Sequence, residues 1–277
     1  MIKFLVMKSL FFTLSLFFAI NTLAAQNGRF VETNGVSIYY EEHGSGEPLL
    51  LLHGFTMTHE VWKPYIEDLG EHYRLIIPDL RGHGRSTNPS NTFTHKLSGE
   101  DMYGLMDALE IENFKAIGHS SGAMTLTHMA TKDTTRIASM VLIGSTTYFP
   151  EACRVIQRSV NMESMDENWF NYMKHLHPGG EDQIRKLLGQ FRGMAEYYDD
   201  MNFTTPYLST ITAETLIIHG DRDEFFSVDI PAQSYKAIQN SYLWIIPNFG
   251  HSMPSPEGAL GTLFMENIIM FLDGQWN

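Results

Sequence analysis

Residues 118–122 read Gly-His-Ser-Ser-Gly, a G-x-S-x-G pattern with Ser120 at its centre. A strand-like apolar run, Phe114 to Ile117, precedes the pattern, and a helix-like stretch from Ser121 to Lys132 follows it. A serine on a sharp turn from strand to helix presents its hydroxyl as a nucleophile, so this context predicts a nucleophile elbow. Because the elbow presents the middle residue of the pattern, we expect Ser120 rather than Ser121 to be the nucleophile.

A serine hydroxyl is a weak nucleophile at neutral pH. It needs a histidine to accept its proton and a carboxylate to orient that histidine. Asp221 and Asp223 lie a few residues past the end of one apolar run, and His251 lies a few residues past the end of the next. The sequence therefore predicts Ser120 and His251 as catalytic residues, with Asp223 and Asp221 as candidates for the acid.

Short apolar runs that alternate with helix-length segments supply the elements that must position these residues. Several runs have no polar alternation, which is typical of strands buried on both faces, so we expect a mostly parallel sheet with helices on both sides. The predicted strands are Val36 to Tyr40, Pro48 to Leu52, Arg74 to Ile77, Phe114 to Ile117, Met140 to Ile143, Thr215 to Ile218 and Leu243 to Ile246. The predicted helices are Val61 to Leu69, His95 to Leu109, Ala123 to Thr131, Ile230 to Ile238 and Leu260 to Leu272.

One stretch, residues 146–212, contains no strand-like run. Its helix-like pieces are Glu151 to Met162, Asp166 to His175 and Glu181 to Tyr198. Because about 65 residues are too many for an ordinary loop, we expect a helical cap at 146–212, between core segments 26–145 and 213–277. The Met and aromatic residues of the cap are expected either to line an apolar pocket or to pack the cap onto the core.

The first 25 residues contain Lys3 and Lys8, then an apolar run from Leu10 to Ile20, then small residues. This order is typical of a signal peptide and predicts an exported protein, periplasmic or secreted. After cleavage we expect no stable insertion into a membrane. An uncleaved N-terminal anchor is the alternative, because residues 9–25 carry no charge.

Charge and cysteine content narrow the range of partners. The formal net charge of −13 repels phosphate backbones, so we expect no nucleic acid partner. Cys153 is the single cysteine, which leaves no internal disulfide and no C-x-x-C site. We expect it to be an inert thiol.

Most of the twelve histidines have no partner that the sequence suggests, and we expect surface or loop positions for them. His175 and His177 come without a third ligand at a suitable spacing, so no metal site is predicted. The histidines in this group are His43, His59, His72, His83, His95, His128, His175 and His177.

Over about residues 30 to 273, these features together resemble the α/β-hydrolase superfamily, in particular its capped serine esterases. The order Ser120, Asp223, His251 is the chain order of the triad in that fold. Two further family motifs are the loop at residues 53–56 (His-Gly-Phe-Thr) and the D-x-R-G-x-G-x-S loop at 79–86. The resemblance implies a mostly parallel, doubly wound α/β sheet of the α/β-hydrolase type, with a helical cap inserted after the sixth core strand.

The resemblance also assigns roles. The family pattern G-x-x-D selects Asp223 as the acid and leaves Asp221 to cap the turn. The backbone N–H groups of Phe55 and Ser121 are implied as donors to the oxyanion. His53 is implied to shape its loop rather than to act in catalysis.

The activity that the resemblance implies is hydrolysis of carboxylic esters, lactones or aryl esters included, through an acyl-enzyme on Ser120. The partner would be a small acyl substrate, with no cofactor. A carbon–carbon bond hydrolase, an acyltransferase and a cofactor-free perhydrolase have the same triad and stay open. A ligand-binding receptor that retains the fold is the alternative outside enzymes.

Overall fold

A computed structural model describes residues 28–163 and 165–276, so the predicted signal peptide at 1–25 lies outside the described residues. The strands are β1 (Gly28–Thr33), β2 (Val36–Gly44), β3 (Glu47–Leu52), β4 (Tyr73–Pro78), β5 (Phe114–His119), β6 (Ile137–Ile143), β7 (Glu214–Gly220) and β8 (Ser241–Ile246). The helices are α1 (Ile66–Gly70), α2 (His95–Ala108), α3 (Ser121–Lys132), α4 (Glu151–Ser159), α5 (Glu167–Leu176), α6 (Gly180–Met194), α7 (Thr205–Leu208), α8 (Asp229–Ala237) and α9 (Ala259–Leu272), and a 3₁₀ helix spans His59–Tyr65.

These strands form one sheet in the order β1-β2-β4-β3-β5-β6-β7-β8. The first two pairings, β1 with β2 and β2 with β4, are antiparallel, and all later pairings are parallel. The carboxyl ends of β5, β7 and β8 therefore lie at the same edge of the sheet, where ligands bind in folds of this class.

Strand β3 is buried on both faces of the sheet, which explains why its sequence does not alternate between apolar and polar residues. Leu49 and Leu51 pack on one face of the sheet in a core shared with α9, while Leu50 and Leu52 pack on the other in a core shared with α2 and α3. All four side chains are fully buried. Burying one such leucine contributes about 2 kcal/mol, so a run that is apolar on both faces stabilises the centre of the sheet.

Three elements differ from the sequence predictions. The edge strand β1 was not predicted, because most of its side chains are partly or fully exposed and it lacks an apolar run. The single helix predicted from Val61 to Leu69 is wrong: a 3₁₀ helix containing Pro64 comes first, and α1 follows it. Proline has no N–H to donate, which disfavours one continuous α-helix here. The short helix α7 was not predicted either.

The segment predicted as a cap holds α4 to α7, between β6 and β7. Met173, Ile184 and Leu188 form a small buried cluster between α5 and α6. In the part of the chain that the structure describes, no helix has the length and apolar character needed to cross a bilayer.

The D-x-R-G-x-G-x-S loop, residues 79–86, is tied down by buried polar contacts. Arg81 donates to both carboxylate oxygens of Asp101 on α2, from Nε at 2.6 Å and from Nη2 at 2.8 Å. Asp79 accepts hydrogen bonds from the backbone amides of His59 at 2.8 Å and Arg85 at 2.9 Å. These contacts give the loop a structural role.

Several histidines are buried, so the expectation of surface or loop positions is wrong for His59 and His95, which lie inside helices. His177 is in a loop but is also buried. Its Nδ1 accepts from the Gly84 amide at 3.0 Å, and its Nε2 donates to the Thr56 carbonyl at 3.0 Å. The partners come from distant parts of the chain, so no sequence spacing indicates them.

His59 lies between two carboxylates. Its Nδ1 is 2.7 Å from Asp79 Oδ1, and its Nε2 is 3.3 Å from Glu41 Oε1, so both nitrogens carry protons in the ion-paired state. Burial alone would lower the pKa of His59, but the two carboxylates outweigh it and raise the pKa to about 9. The hydrogen bond from His59 is the main reason that the pKa of Glu41 falls to about 2.

We expect this cluster to make stability depend on pH. Above pH 6.5, the ordinary pKa of histidine, the unfolded chain releases the His59 proton while the folded chain keeps it up to about pH 9. The free energy of unfolding should therefore fall as the pH rises from 6.5 through 9. Below pH 4.5, the ordinary pKa of Glu41, it should fall again as the pH approaches 2.

Urea denaturation at a series of pH values checks this expectation. His59→Gln should flatten the alkaline slope, whereas His175→Gln, at a side chain that is 70% exposed, should leave it unchanged. Equal slopes in the wild type and His59→Gln would rule out this assignment.

Candidate active site

Ser120 lies on a tight turn between β5 and α3, with φ 52° and ψ −118°. A positive φ is rare for a residue with a side chain and marks local strain. Glycines flank the turn because side chains would not fit: a Cβ at Gly118 would lie 2.5 Å from the Ala123 amide nitrogen, and a Cβ at Gly122 would lie 2.2 Å from the Leu52 carbonyl oxygen. The structure therefore explains the spacing of the G-x-S-x-G pattern.

The structure brings Ser120, His251 and Asp223 together. The Ser120 Oγ is 2.9 Å from His251 Nε2, and His251 Nδ1 is 2.7 Å from Asp223 Oδ2. Because a carboxylate only accepts hydrogen bonds, His251 donates from Nδ1, which leaves Nε2 free to accept the serine proton. Strand β7 ends before Asp223 and β8 ends before His251, so the sheet edge positions both residues.

Asp223 is held as a buried carboxylate. Its Oδ1 accepts hydrogen bonds from the backbone amides of Phe225 at 2.8 Å and Phe226 at 3.0 Å. Burial by itself raises the pKa of this carboxyl, but the hydrogen bond from His251 and those from the two amides outweigh it and hold the pKa below its ordinary value. A charged Asp223 can stabilise an imidazolium at His251.

Asp221, the other candidate acid, makes no hydrogen bond to His251, although the structure describes both residues. Its Oδ1 accepts a hydrogen bond from the Phe249 backbone amide at 3.3 Å, and its side chain is 31% exposed. It therefore ties together the two turns that follow β7 and β8.

His119 has a contact that the sequence did not reveal. Its Nε2 donates to the backbone carbonyl of His251 at 2.7 Å. Burial is the main cause that lowers the pKa of His119 to about 4, so this ring is neutral at pH 7. His119 therefore anchors the backbone of His251.

The two residues implied as oxyanion donors line the same cavity as Ser120. Ser121 is the first residue of α3, where backbone N–H groups have no partner in a preceding helical turn. Phe55 lies just past the end of β3, and its ring is 5.6 Å from that of Phe191 on α6. The role of both amides stays a prediction.

His53 connects the Phe55 loop to the neighbouring loop. Its Nδ1 donates to the Gly54 carbonyl at 2.7 Å, and its Nε2 accepts from the Leu80 amide at 2.9 Å. Burial lowers the pKa of His53 to about 4, so it is neutral. These contacts suit the loop-shaping role that the resemblance implies.

A second serine–histidine–aspartate arrangement lies beside the first. The Ser121 side-chain oxygen is 3.0 Å from His95 Nε2, and His95 Nδ1 is 2.6 Å from Asp200 Oδ2. Asp200 also accepts from the backbone amides of His95 at 3.0 Å and Lys96 at 3.3 Å, which caps the start of α2. All three members of this arrangement are buried.

Hydrogen bonding alone therefore does not distinguish the two serines. Ser120 has the strained elbow conformation and is partly exposed, whereas the Ser121 side chain belongs to a buried network that joins α2, α3 and the helical segment. No sequence pattern indicated this network, because His95 and Asp200 are 105 residues apart.

A cavity of about 510 Å³ opens at Ser120 and His251. About half of its apolar lining residues belong to the segment between β6 and β7, including Phe149, Val160, Met165, Trp169, Phe191 and Met194. The expectation of a pocket lined by Met and aromatic residues is thus confirmed for Met165, Trp169, Phe191 and Met194. In contrast, Met173 packs in the small cluster between α5 and α6, and Tyr197 and Tyr198 are exposed.

The wall of this cavity carries little charge. Among the described residues that line it, none is Lys or Arg, and Glu224 is the one carboxylate. Burial raises the pKa of the Cys153 thiol to about 12, so this wall residue stays protonated. No group of three or more His, Cys, Asp or Glu side chains within residues 28–163 and 165–276 is arranged to hold a metal ion.

Residues 47–169 match the family model for the alpha/beta hydrolase fold. The chain belongs to the α/β-hydrolase superfamily. The predicted superfamily and the predicted α/β fold class with a mostly parallel sheet are thereby confirmed, and the helical cap stays a prediction. The chain is 26% identical over 251 residues to a non-heme haloperoxidase from Rhodococcus erythropolis, covering 80% of this chain and 91% of that protein. It is 23% identical over 243 residues to a 2-hydroxy-6-oxo-6-(2'-aminophenyl)hexa-2,4-dienoic acid hydrolase from Metapseudomonas resinovorans, covering 80% and 84%.

A solved structure of a superfamily member has the same fold. A meta-cleavage product hydrolase from Pseudomonas fluorescens IP01 superposes with a TM-score of 0.72 at 22% identity, covering 90% of this chain and 98% of that one. At this identity the likeness establishes the fold alone.

Proposed function

We propose that this α/β-hydrolase cleaves neutral carboxylic esters through an acyl-enzyme on Ser120. The observation that carries the proposal is the continuous chain of contacts from Ser120 through His251 to Asp223, with Ser120 and His251 in the lining of an apolar cavity. A hydroxyl with an adjacent base and an oriented acid is suited to acyl transfer.

The steps follow from the hydrogen bonds. His251 Nε2 takes the Ser120 proton as Oγ attacks the acyl carbon, and the Phe55 and Ser121 amides receive the developing oxyanion. His251 then gives its proton to the leaving alcohol. A water molecule, deprotonated by the same nitrogen, releases the acid and restores Ser120.

The charge of the cavity supports a neutral ester over the dienoic acid named for the relative from Metapseudomonas resinovorans. A carboxylate taken into an apolar cavity needs a counter-charge or several hydrogen bonds to offset lost hydration. None of the described residues that line the cavity is Lys or Arg, and the Glu224 carboxylate would repel an anion. We therefore place carbon–carbon bond hydrolysis second.

Perhydrolysis is the other candidate that the relatives suggest, since one of them is a non-heme haloperoxidase. In that reaction hydrogen peroxide attacks the acyl-enzyme in place of water. The same triad serves both reactions, so this activity adds to the proposal and does not replace it.

A substrate panel on the purified protein tests the proposal. It contains short-chain, long-chain and aryl esters, lactones, a thioester, an anionic dienoic acid that carries a 6-oxo group, and acetate with hydrogen peroxide. We expect turnover of neutral esters to exceed turnover of the dienoic acid. Faster cleavage of the dienoic acid would replace the ester hydrolase with a carbon–carbon hydrolase, and no turnover of any compound would favour a receptor.

A further inference from the structure

Gln157 occupies the middle of the cavity-facing side of α4. Cys153 and Gln157 are four residues apart on one side of α4, and both line the cavity, as does Val160 just past the end of the helix. Glu151 and Arg158 form an ion pair on the exposed side of α4. A helix side that faces an apolar cavity is expected to be apolar, and Gln157 departs from that pattern.

The amide of Gln157 has no hydrogen-bond partner among the described residues, although the side chain is fully buried. Gln183, also in the helical segment, shows what a structural glutamine does here. Its Nε2 donates to the carbonyls of Gly82 and Gly84, each at 2.9 Å, and its Oε1 accepts from the Gly179 amide at 2.9 Å.

The unpaired amide destabilises the folded state, because burial removes its hydration without replacing it. A methionine or leucine would occupy a similar volume without that cost. Packing therefore does not explain a glutamine at position 157, and a molecule bound in the cavity that Gln157 lines would supply a partner for its amide.

We propose that Gln157 binds a neutral, oxygen-bearing group of the substrate, a hydroxyl or a carbonyl separate from the ester that is cleaved. The assignment rests on the proposed function, since Gln157 shares the cavity of Ser120. An amide offers one acceptor and two donors, which match a hydroxyl or a carbonyl. The lack of Lys and Arg in the described lining disfavours a carboxylate or a phosphate.

Paired substrates test this proposal. Aryl hexanoates and alkyl hexanoates are compared with analogues that carry one hydroxyl or oxo group, scanned along the acyl chain in one series and along the alcohol in the other. In the wild type, we expect at least one oxygenated ester to gain about tenfold in kcat/KM over its plain partner. Gln157→Met should abolish that gain, so that the oxygenated ester and its plain partner have nearly equal kcat/KM.

Cys153→Ala is the matched control, because Cys153 lies one turn away on the same side of α4. We expect it to keep the preference for the oxygenated ester. If Gln157→Met leaves every ratio of kcat/KM between oxygenated and plain ester unchanged, Gln157 does not bind the substrate, and water in the cavity hydrogen-bonds to its amide. The same conclusion follows if Cys153→Ala changes these ratios as much as Gln157→Met does.

Thermal unfolding supplies an independent readout. We expect Gln157→Met to raise the melting temperature, because an unpaired buried amide is removed, whereas loss of a structural hydrogen bond would lower it. If neither ester of any pair is hydrolysed, that result contradicts the proposed function but not the Gln157 assignment. The Gln157 assignment would then be decided by whether an oxygenated compound raises the melting temperature more than its plain partner, and whether Gln157→Met removes that difference.

Discussion

Replacing Ser120 with alanine is expected to lower kcat for ester hydrolysis by roughly 10⁴- to 10⁶-fold. Without its Oγ, no acyl-enzyme can form, and only the oxyanion donors and substrate positioning remain. The fold should persist, because within the described residues the Ser120 side chain makes a single hydrogen bond, to His251. Steady-state kinetics with an aryl ester, beside circular dichroism of both proteins, measures the change.

Ser121→Ala is the matched control for this prediction. Its hydroxyl is bonded to His95 and its predicted catalytic group is the backbone amide, which alanine keeps. We expect kcat to stay within about tenfold of wild type. A larger loss in Ser121→Ala than in Ser120→Ala would move the nucleophile to the second serine–histidine–aspartate arrangement.

Replacing Asp223 with asparagine is expected to lower kcat about 10⁴-fold. The asparagine amide would donate to His251 Nδ1, which forces the proton onto Nε2, the nitrogen that faces Ser120. His251 could then no longer accept the serine proton. The measurement is kcat for the same aryl ester, with unfolding by urea to show that the variant remains folded.

Asp221→Asn separates the two candidate acids. Asp221 accepts one long hydrogen bond from the Phe249 amide, and the asparagine carbonyl can accept it equally well. Its kcat should lie within about threefold of wild type. If Asp221→Asn were the damaging change and Asp223→Asn harmless, the acid assignment would be wrong.

The sequence predicted the central strands because they are buried on both faces and so contain little but apolar residues. It did not predict β1, whose side chains are mostly exposed at the edge of the sheet. The serine, the acid and the histidine were predictable for a related reason. Each follows a recognisable strand, and parallel strands end at the same edge of the sheet.

Contacts between segments far apart in the chain could not be predicted in this way. Asp200 reaches His95 across 105 residues, and neither residue has a local pattern that indicates the other. The same holds for His119, whose partner is a backbone carbonyl at residue 251. The four-residue spacing of Cys153 and Gln157 is typical of one side of a helix, but the structure is needed to show that this side of α4 faces the cavity.

Reaction with a fluorophosphonate probe, followed by intact-protein and peptide mass spectrometry, determines whether Ser120 is the nucleophile. We predict one adduct on the wild type, located at Ser120, retained in Ser121→Ala and strongly slowed in Asp223→Asn. Ser120→Ala should give none. Three results would show that Ser120 is not the nucleophile: an adduct that persists in Ser120→Ala, an adduct located at Ser121, or a wild type that does not react.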